Sequence, residues 1–463
     1  MNIKNSRGTL VLGLTTGLAV LFLNGCAGPV ATQEEATASI KGDVVKERVP
    51  DSFAATAELG VVDDGWIKSF NDTTLIELTA EALIANPSLK IAKAKVDQAN
   101  GLTRQAEAGL KPTIGYGGGY TDTEYEGGGS GQGGGAAGLA ISWEADVWGR
   151  IATDIAGTEQ ETAATVSDYQ FARQSLVAAV SNGWFMANTA KFQHQFAEDI
   201  VKLQQKRLKV AVAMQEIGKG TERDVHLARG AAASAGEAAR DALSASEKAL
   251  RSLELLLGRY PSAELKTINK LVAVPPAIPA GIPSAILERR PDLIAAEHRV
   301  AAAFYKQKEA ELLHLPQFSF SIGVGLNSIN DAIAGLSAGL FGPLYTGGAI
   351  EAEVDKATAE QNGTIAAYAQ TALNAFKEVE ESLAAEEHLL MREEYLKLEV
   401  RENKKALDQT LQQYEIGQIT LLDVFTVENK WISSRIAEMD IVGQRLVNRV
   451  NLHLALGGSF EDN

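Results

Sequence analysis

The sequence predicts a mainly α-helical protein with a small membrane β part, written as a tandem duplication. Three observations carry that expectation. Two spans free of proline, Arg150 to Glu216 and Ala349 to Glu415, are each long enough for a helix of roughly 100 Å at 1.5 Å per residue. Each follows a stretch in which apolar residues recur with period two, the signature of strands. Matched markers then recur at fixed spacing through both halves of the chain.

The bulk numbers agree and exclude much. The chain has 463 residues, 45% hydrophobic and 22% charged, enough for a folded protein of several units. A net charge of −16 without any Lys/Arg run argues against a general nucleic-acid role. One cysteine excludes an internal disulfide and a cysteine metal cluster; six scattered histidines show no zinc spacing, so no metal site is expected. There is no phosphate-cradle string, and no nucleophile, base and oxyanion group can be assembled. The chain is therefore expected to be no enzyme and to need no cofactor beyond a covalent lipid.

The first 25 residues read as a signal peptide. Lys4 and Arg7 precede an apolar run from Thr9 to Leu23, too short for a spanning helix. The string "LNGC", Leu23 to Cys26, resembles the lipobox of bacterial lipoproteins, in which Cys26 becomes the lipid-modified N-terminus. An ordinary signal peptide with an incidental cysteine is the alternative. Ala27, in place of Asp, suits outer-membrane sorting by the same resemblance. Residues 26–65 form the anchored N-terminal segment.

Repeat 1 is assigned to 66–260 and repeat 2 to 284–460, with the Pro-rich linker 261–283 between them. Pro87 and Pro291 lie 204 apart, as do Pro112 and Pro316. Gly149 and Gly348, Gly218 and Gly417, and Gly258 and Gly457 are each 199 apart. The register therefore shifts by five residues only where the stretch "EGGGSGQGGG" lies, as expected of a length change in one exposed loop.

The β-hairpins are expected at about 113–146 and 317–341. Ile114, Tyr116 and Tyr120 share a parity, as do Leu139, Ile141 and Trp143. Phe318, Phe320, Ile322, Val324 and Leu326 alternate cleanly, and Leu336 and Leu340 follow. About ten residues per strand suits a tilted membrane strand; a small soluble hairpin is the alternative. Four strands cannot close a membrane barrel, and lipid tolerates no open edge, so several protomers would have to share one.

The long helices carry a coiled-coil-like seam through Leu176, Val180, Trp184 and Ala187, and through Val400, Leu407, Leu411 and Tyr414. Each must turn back, and the turn is written twice: "EIGKGTERDV" at Glu216 to Val225 and "EIGQITLLDV" at Glu415 to Val424. Gly218 and Gly417 suit a left-handed helix end. Thr221 with Asp224, and Thr420 with Asp423, suit an N-terminal capping box.

These strings, together with "WEADVWGR", "GPLYTGG" and "ERRPDLIAAEHRVAAA" (Glu288 to Ala303), resemble the outer-membrane efflux protein family, the TolC superfamily. The likeness is strongest to its lipoprotein branch serving resistance–nodulation–division pumps and covers essentially the whole mature chain. The resemblance implies a TolC-like trimeric α/β-barrel in the outer membrane of a Gram-negative bacterium: twelve strands from three protomers, continued by a helical tunnel across the periplasm. It implies a passive exit duct for drugs or other small molecules in a tripartite pump, with a periplasmic adaptor and an inner-membrane transporter as partners. Gly218, Thr221, Gly417 and Thr420 match the tip motif that contacts the adaptor. Asp423, with Asp224 and Ile419, matches the pore gate; capping is the other reading of Asp423. Thr426 stands where some relatives carry a second carboxylate, the second tip is short, and Lys219 and Arg223 replace apolar tip positions. A type I secretion channel and a non-channel lipid-anchored scaffold are the competing functions.

Overall fold

A computed structural model describes residues 30–43, 52–55, 60, 64–121, 134–268, 272–281, 283–327 and 332–461. The signal peptide, Cys26 and most of the Gly-rich stretch lie outside the described residues. In chain order the elements are α1 (Gln33–Asp43), α2 (Thr73–Ala85), α3 (Pro87–Glu107), β1 (Thr113–Thr121), β2 (Gly134–Ala145), α4 (Arg150–Glu216) and α5 (Glu222–Leu256). Then come α6 (Pro283–Arg289), α7 (Pro291–Leu312), β3 (Gln317–Asn327), β4 (Ala332–Phe341), α8 (Ala349–Glu415) and α9 (Leu421–Ala455). Helices α4 and α8 each hold 67 residues without interruption.

One compact unit gathers the described residues within Met1–Arg48, Lys95–Val166 and Ala295–Gln370. Its centre is an antiparallel sheet in the order β1-β2-β3-β4, so the two hairpins join through β2 and β3. The strand-to-helix turn after β2 is fixed by Asp146, whose two carboxylate oxygens accept the N–H groups of Ile151 (3.0 Å) and Ala152 (2.8 Å). That satisfies free donors of the first turn of α4 and places a negative charge at its positive end. Two indoles brace the sheet base: Trp143 donates to the Leu110 carbonyl at 3.0 Å and Trp148 to the Pro316 carbonyl at 2.7 Å.

The other unit gathers the described residues within Val49–Ala94, Ser167–Ile294 and Thr371–Asn463. Its core packs Leu75, Leu78, Val177, Val180, Trp184, Phe185, Leu253 and Val450. Burying Trp184 leaves an indole N–H that needs an acceptor, and Asp72 supplies it at 2.7 Å. The expected seam is here: Leu176, Val180, Trp184, Ala187 and Leu407 are buried, and Val400, Leu411 and Tyr414 half-buried.

The duplication reappears as hydrogen bonds. Asn86 donates to the Leu256 carbonyl at 2.7 Å, and Arg290 to the Ala455 carbonyl at 3.2 Å. These donors and acceptors are register equivalents in the two repeats. Pro87 and Pro291 follow them at the first helical position of α3 and α7, where a missing N–H costs nothing. Arg290 is buried and also holds Asp292 (2.8 Å) and Glu378 (2.7 Å).

Candidate functional site

The sheet has two chemically distinct faces. Ile114, Ile141, Ile322 and Leu336 stand directly opposite one another across all four strands. Tyr116, Leu139 and Val324 form the next row, and Trp143 stacks on Phe320 with ring centroids 5.8 Å apart. Most of this face is open; Tyr116 is 92% exposed. The opposite face is small and polar. Thr113, Ser142, Ser321 and Ser337 align in one row, with hydroxyl contacts of 2.7 Å (Thr113 to Ser142) and 2.6 Å (Ser321 to Ser337). Gly115, Ala140, Gly323 and Gly335 follow.

Gly138 and Gly325 are paired between β2 and β3 and have no room to be anything else. A Cβ on Gly325 would lie 2.6 Å from the Ala137 carbonyl oxygen, and one on Gly138 would overlap the Val324 carbonyl. Among the described residues β1 and β4 have no further strand partner, so each presents an open edge. A contiguous run of exposed apolar side chains of this kind marks a surface that meets a partner or a membrane. No described helix is long and apolar enough to cross a membrane.

The hairpin tips belong to the second unit. α4 and α8 end in the same motif. Gly218 (φ +72°) and Gly417 (φ +77°) are left-handed. The N–H of each bonds back to Gln215 and Tyr414 respectively (3.0 Å each); the next N–H reaches Met214 and Gln413 (2.9 Å each). This is the paired 5→2 and 6→1 closure that satisfies a helix C-terminus. The return helices then start on capping boxes. The Thr221 N–H (3.1 Å) and O–H (2.6 Å) donate to Asp224, and the Thr420 N–H (2.9 Å) and O–H (2.6 Å) donate to Asp423. Those Thr420 hydrogen bonds hold the Asp423 carboxyl below its usual range. Ile419 is half-buried in the second turn; Thr426 is exposed and donates to the Leu422 carbonyl at 2.9 Å.

The two tips touch each other. Val225 and Ala228 of α5 pack with Leu421 and Phe425 of α9, and Tyr414 borders the cluster. Burial first, and the Asp224 charge second, push the Tyr414 hydroxyl up. Close by, Glu428 of α9 is fully buried and paired with Arg207 of α4, while Gln204 donates to it at 2.7 Å. Sequence reasoning missed this cross-hairpin ion pair. The signal was present: Glu428 falls on the stripe Leu421, Val424, Phe425, Glu428, where an apolar residue is due.

A four-stranded sheet with one apolar face, joined to long helical hairpins with matched turns, is the TolC-like fold. The chain belongs to the outer membrane efflux protein family, whose profile matches residues 78–259 and again 282–458, once in each repeat. It is similar to the cation efflux system protein CusC of Escherichia coli O6:H1, at 28% identity over 86% of this chain and 88% of that protein. The toluene efflux pump outer membrane protein TtgC of Pseudomonas putida is 28% identical over 88% and 87%. The probable outer membrane lipoprotein SilC of Salmonella typhimurium is 26% identical over 86% and 88%. Among solved structures, the outer-membrane channel OprN superposes with a TM-score of 0.81 at 23% identity, covering 89% of this chain and 98% of that one. The chain is accordingly an outer-membrane efflux channel.

Proposed function

We propose that three copies of this chain share one twelve-stranded barrel and serve as the passive exit duct of a tripartite pump. The two-faced sheet with open edges is the observation that carries this reading. Isolated in lipid, β1 and β4 would each leave a row of unsatisfied backbone groups, costing several kcal/mol apiece. Pairing β4 of one copy with β1 of the next removes both edges and turns the Gly/Ser/Thr face toward a watery lumen. Cys26 carries the lipid anchor, and no dissociable cofactor is needed. The chain does no covalent chemistry; an inner-membrane transporter supplies the energy. Gly218, Thr221, Gly417 and Thr420 shape the tips that meet a periplasmic adaptor. Asp423 and Asp224, with Ile419 beside them, line the gate, where three Asp423 carboxylates repel one another and attract cations.

The test is the native mass of the detergent-extracted mature protein, by light scattering corrected for bound detergent. A mass of three protomers is expected. A stable monomer would leave four strands with open edges in lipid and overturn the reading.

A further inference from the structure

The two tips share a backbone but not a charge. Residues 206–229 hold six Lys and Arg against three Asp and Glu; the equivalent residues 405–428 hold one against four. Arg207 of the first set is consumed by Glu428 of the second. Lys206, Lys209, Lys219, Arg223 and Arg229 are exposed and, among the described residues, form no ion pair. Lys219 lies in the turn itself. Arg223 is the second residue of α5, against the positive end of the helix dipole, where a cation is disfavoured. Neighbouring acids give little relief: Asp224 is engaged by Thr221, and Glu222 lies 3.6 Å from His226. The second tip builds the same turn with Gln418 and Leu422 at the matching positions, so the turn needs no cation. Contact between hairpins runs through Val225, Leu421 and Phe425 on the helices, and Lys219 stands outside that layer.

We propose that the first tip is a seat for an acidic surface of the periplasmic adaptor, with Lys219 and Arg223 as its specificity-determining residues. This rests on the reading that the tips meet an adaptor. A carboxylate-bearing partner relieves the unfavourable cation at the start of α5 and exploits opposite charge on approach. The second tip, with Gln418 and the apolar Leu422, offers no such attraction. Exposed charges of this kind act chiefly on association rate and are screened by salt.

The experiment titrates the purified adaptor encoded with this channel onto the full-length trimer in lipid nanodiscs, recording association at low and high salt. Wild type, K219E/R223E and K219Q/R223L are compared; the last copies the second tip. Association about tenfold slower for K219E/R223E at low salt, a smaller loss for K219Q/R223L, and convergence of all three at high salt are expected. Equal rates for the three proteins, with wild type binding well, would overturn the inference and spare the adaptor reading. No binding by wild type would overturn both. Loss of trimer stability in K219E/R223E with unchanged adaptor kinetics would assign these charges to a second copy of this chain and also overturn it.

Discussion

The turn glycines carry a cost that can be read directly. Nothing lies within 4 Å of a Cβ placed on Gly218 or Gly417, so alanine there meets only backbone strain. Gly218→Ala is expected to lower stability by about 1 kcal/mol, measured as a shift in the thermal midpoint of the detergent-solubilised protein. His453 gives a pH signature. It is buried, stacked on Trp66 at 5.3 Å, and burial followed by the Arg449 charge pushes it from 6.5 down to about 3. Below pH 6.5 the unfolded chain takes up a proton that the folded chain refuses. Stability is therefore complete above that pH and falls as pH drops toward 3. His453→Phe keeps a ring against Trp66 and is expected to flatten the decline in thermal midpoint over this window. Asp423 works in the same direction at lower pH. Its depressed carboxyl contributes its cap above about pH 4, the unfolded value, and loses it only as pH falls through the folded one. Hydrogen exchange at the start of α9 should accelerate in Asp423→Ala at neutral pH and match wild type in strong acid. The glycines and the Thr-x-x-Asp boxes were legible in the sequence because their partners lie within six residues. His453 was not, because Trp66 comes from the far end of the chain.

At the scale of elements, the hairpins are tied by a pair the fold cannot easily lose. Glu428→Gln leaves the Arg207 guanidinium largely buried without its counter-charge. A loss of about 3–5 kcal/mol is expected, read as a drop in thermal midpoint, with most of it restored in the double variant R207M/E428L. Undiminished stability in Glu428→Gln would show that the pair is solvated. In the sheet, Gly138→Ala should disrupt β2–β3 pairing where Gly335→Ala, with open space at its Cβ, should not; heat resistance of the assembled protein distinguishes them. The strands were legible from their period of two, and the 67-residue helices from the absence of proline. The joining of the two hairpins through β2 and β3 was not, because Leu139 and Val324 are far apart in sequence and alternation alone names no neighbour.

For the whole molecule, the sequence already implied more than one copy if the strands enter lipid, since four strands cannot close there. It gave no number; the three copies proposed come from the resemblance to known channels, because edge pairing would require a ring to close without setting its size. What the structure adds is the separation of an apolar from a small, polar face along every strand, on which the proposed assignment of lipid and lumen rests. The measurement that tests this most directly is single-cysteine labelling along β3 in outer-membrane vesicles, using a charged, lipid-insoluble maleimide. The channel account predicts labelling at Ser319, Ser321 and Gly323 replaced by cysteine, and none at Phe320, Ile322 and Val324 so replaced. Equal labelling of both sets would contradict it and return the sheet to water.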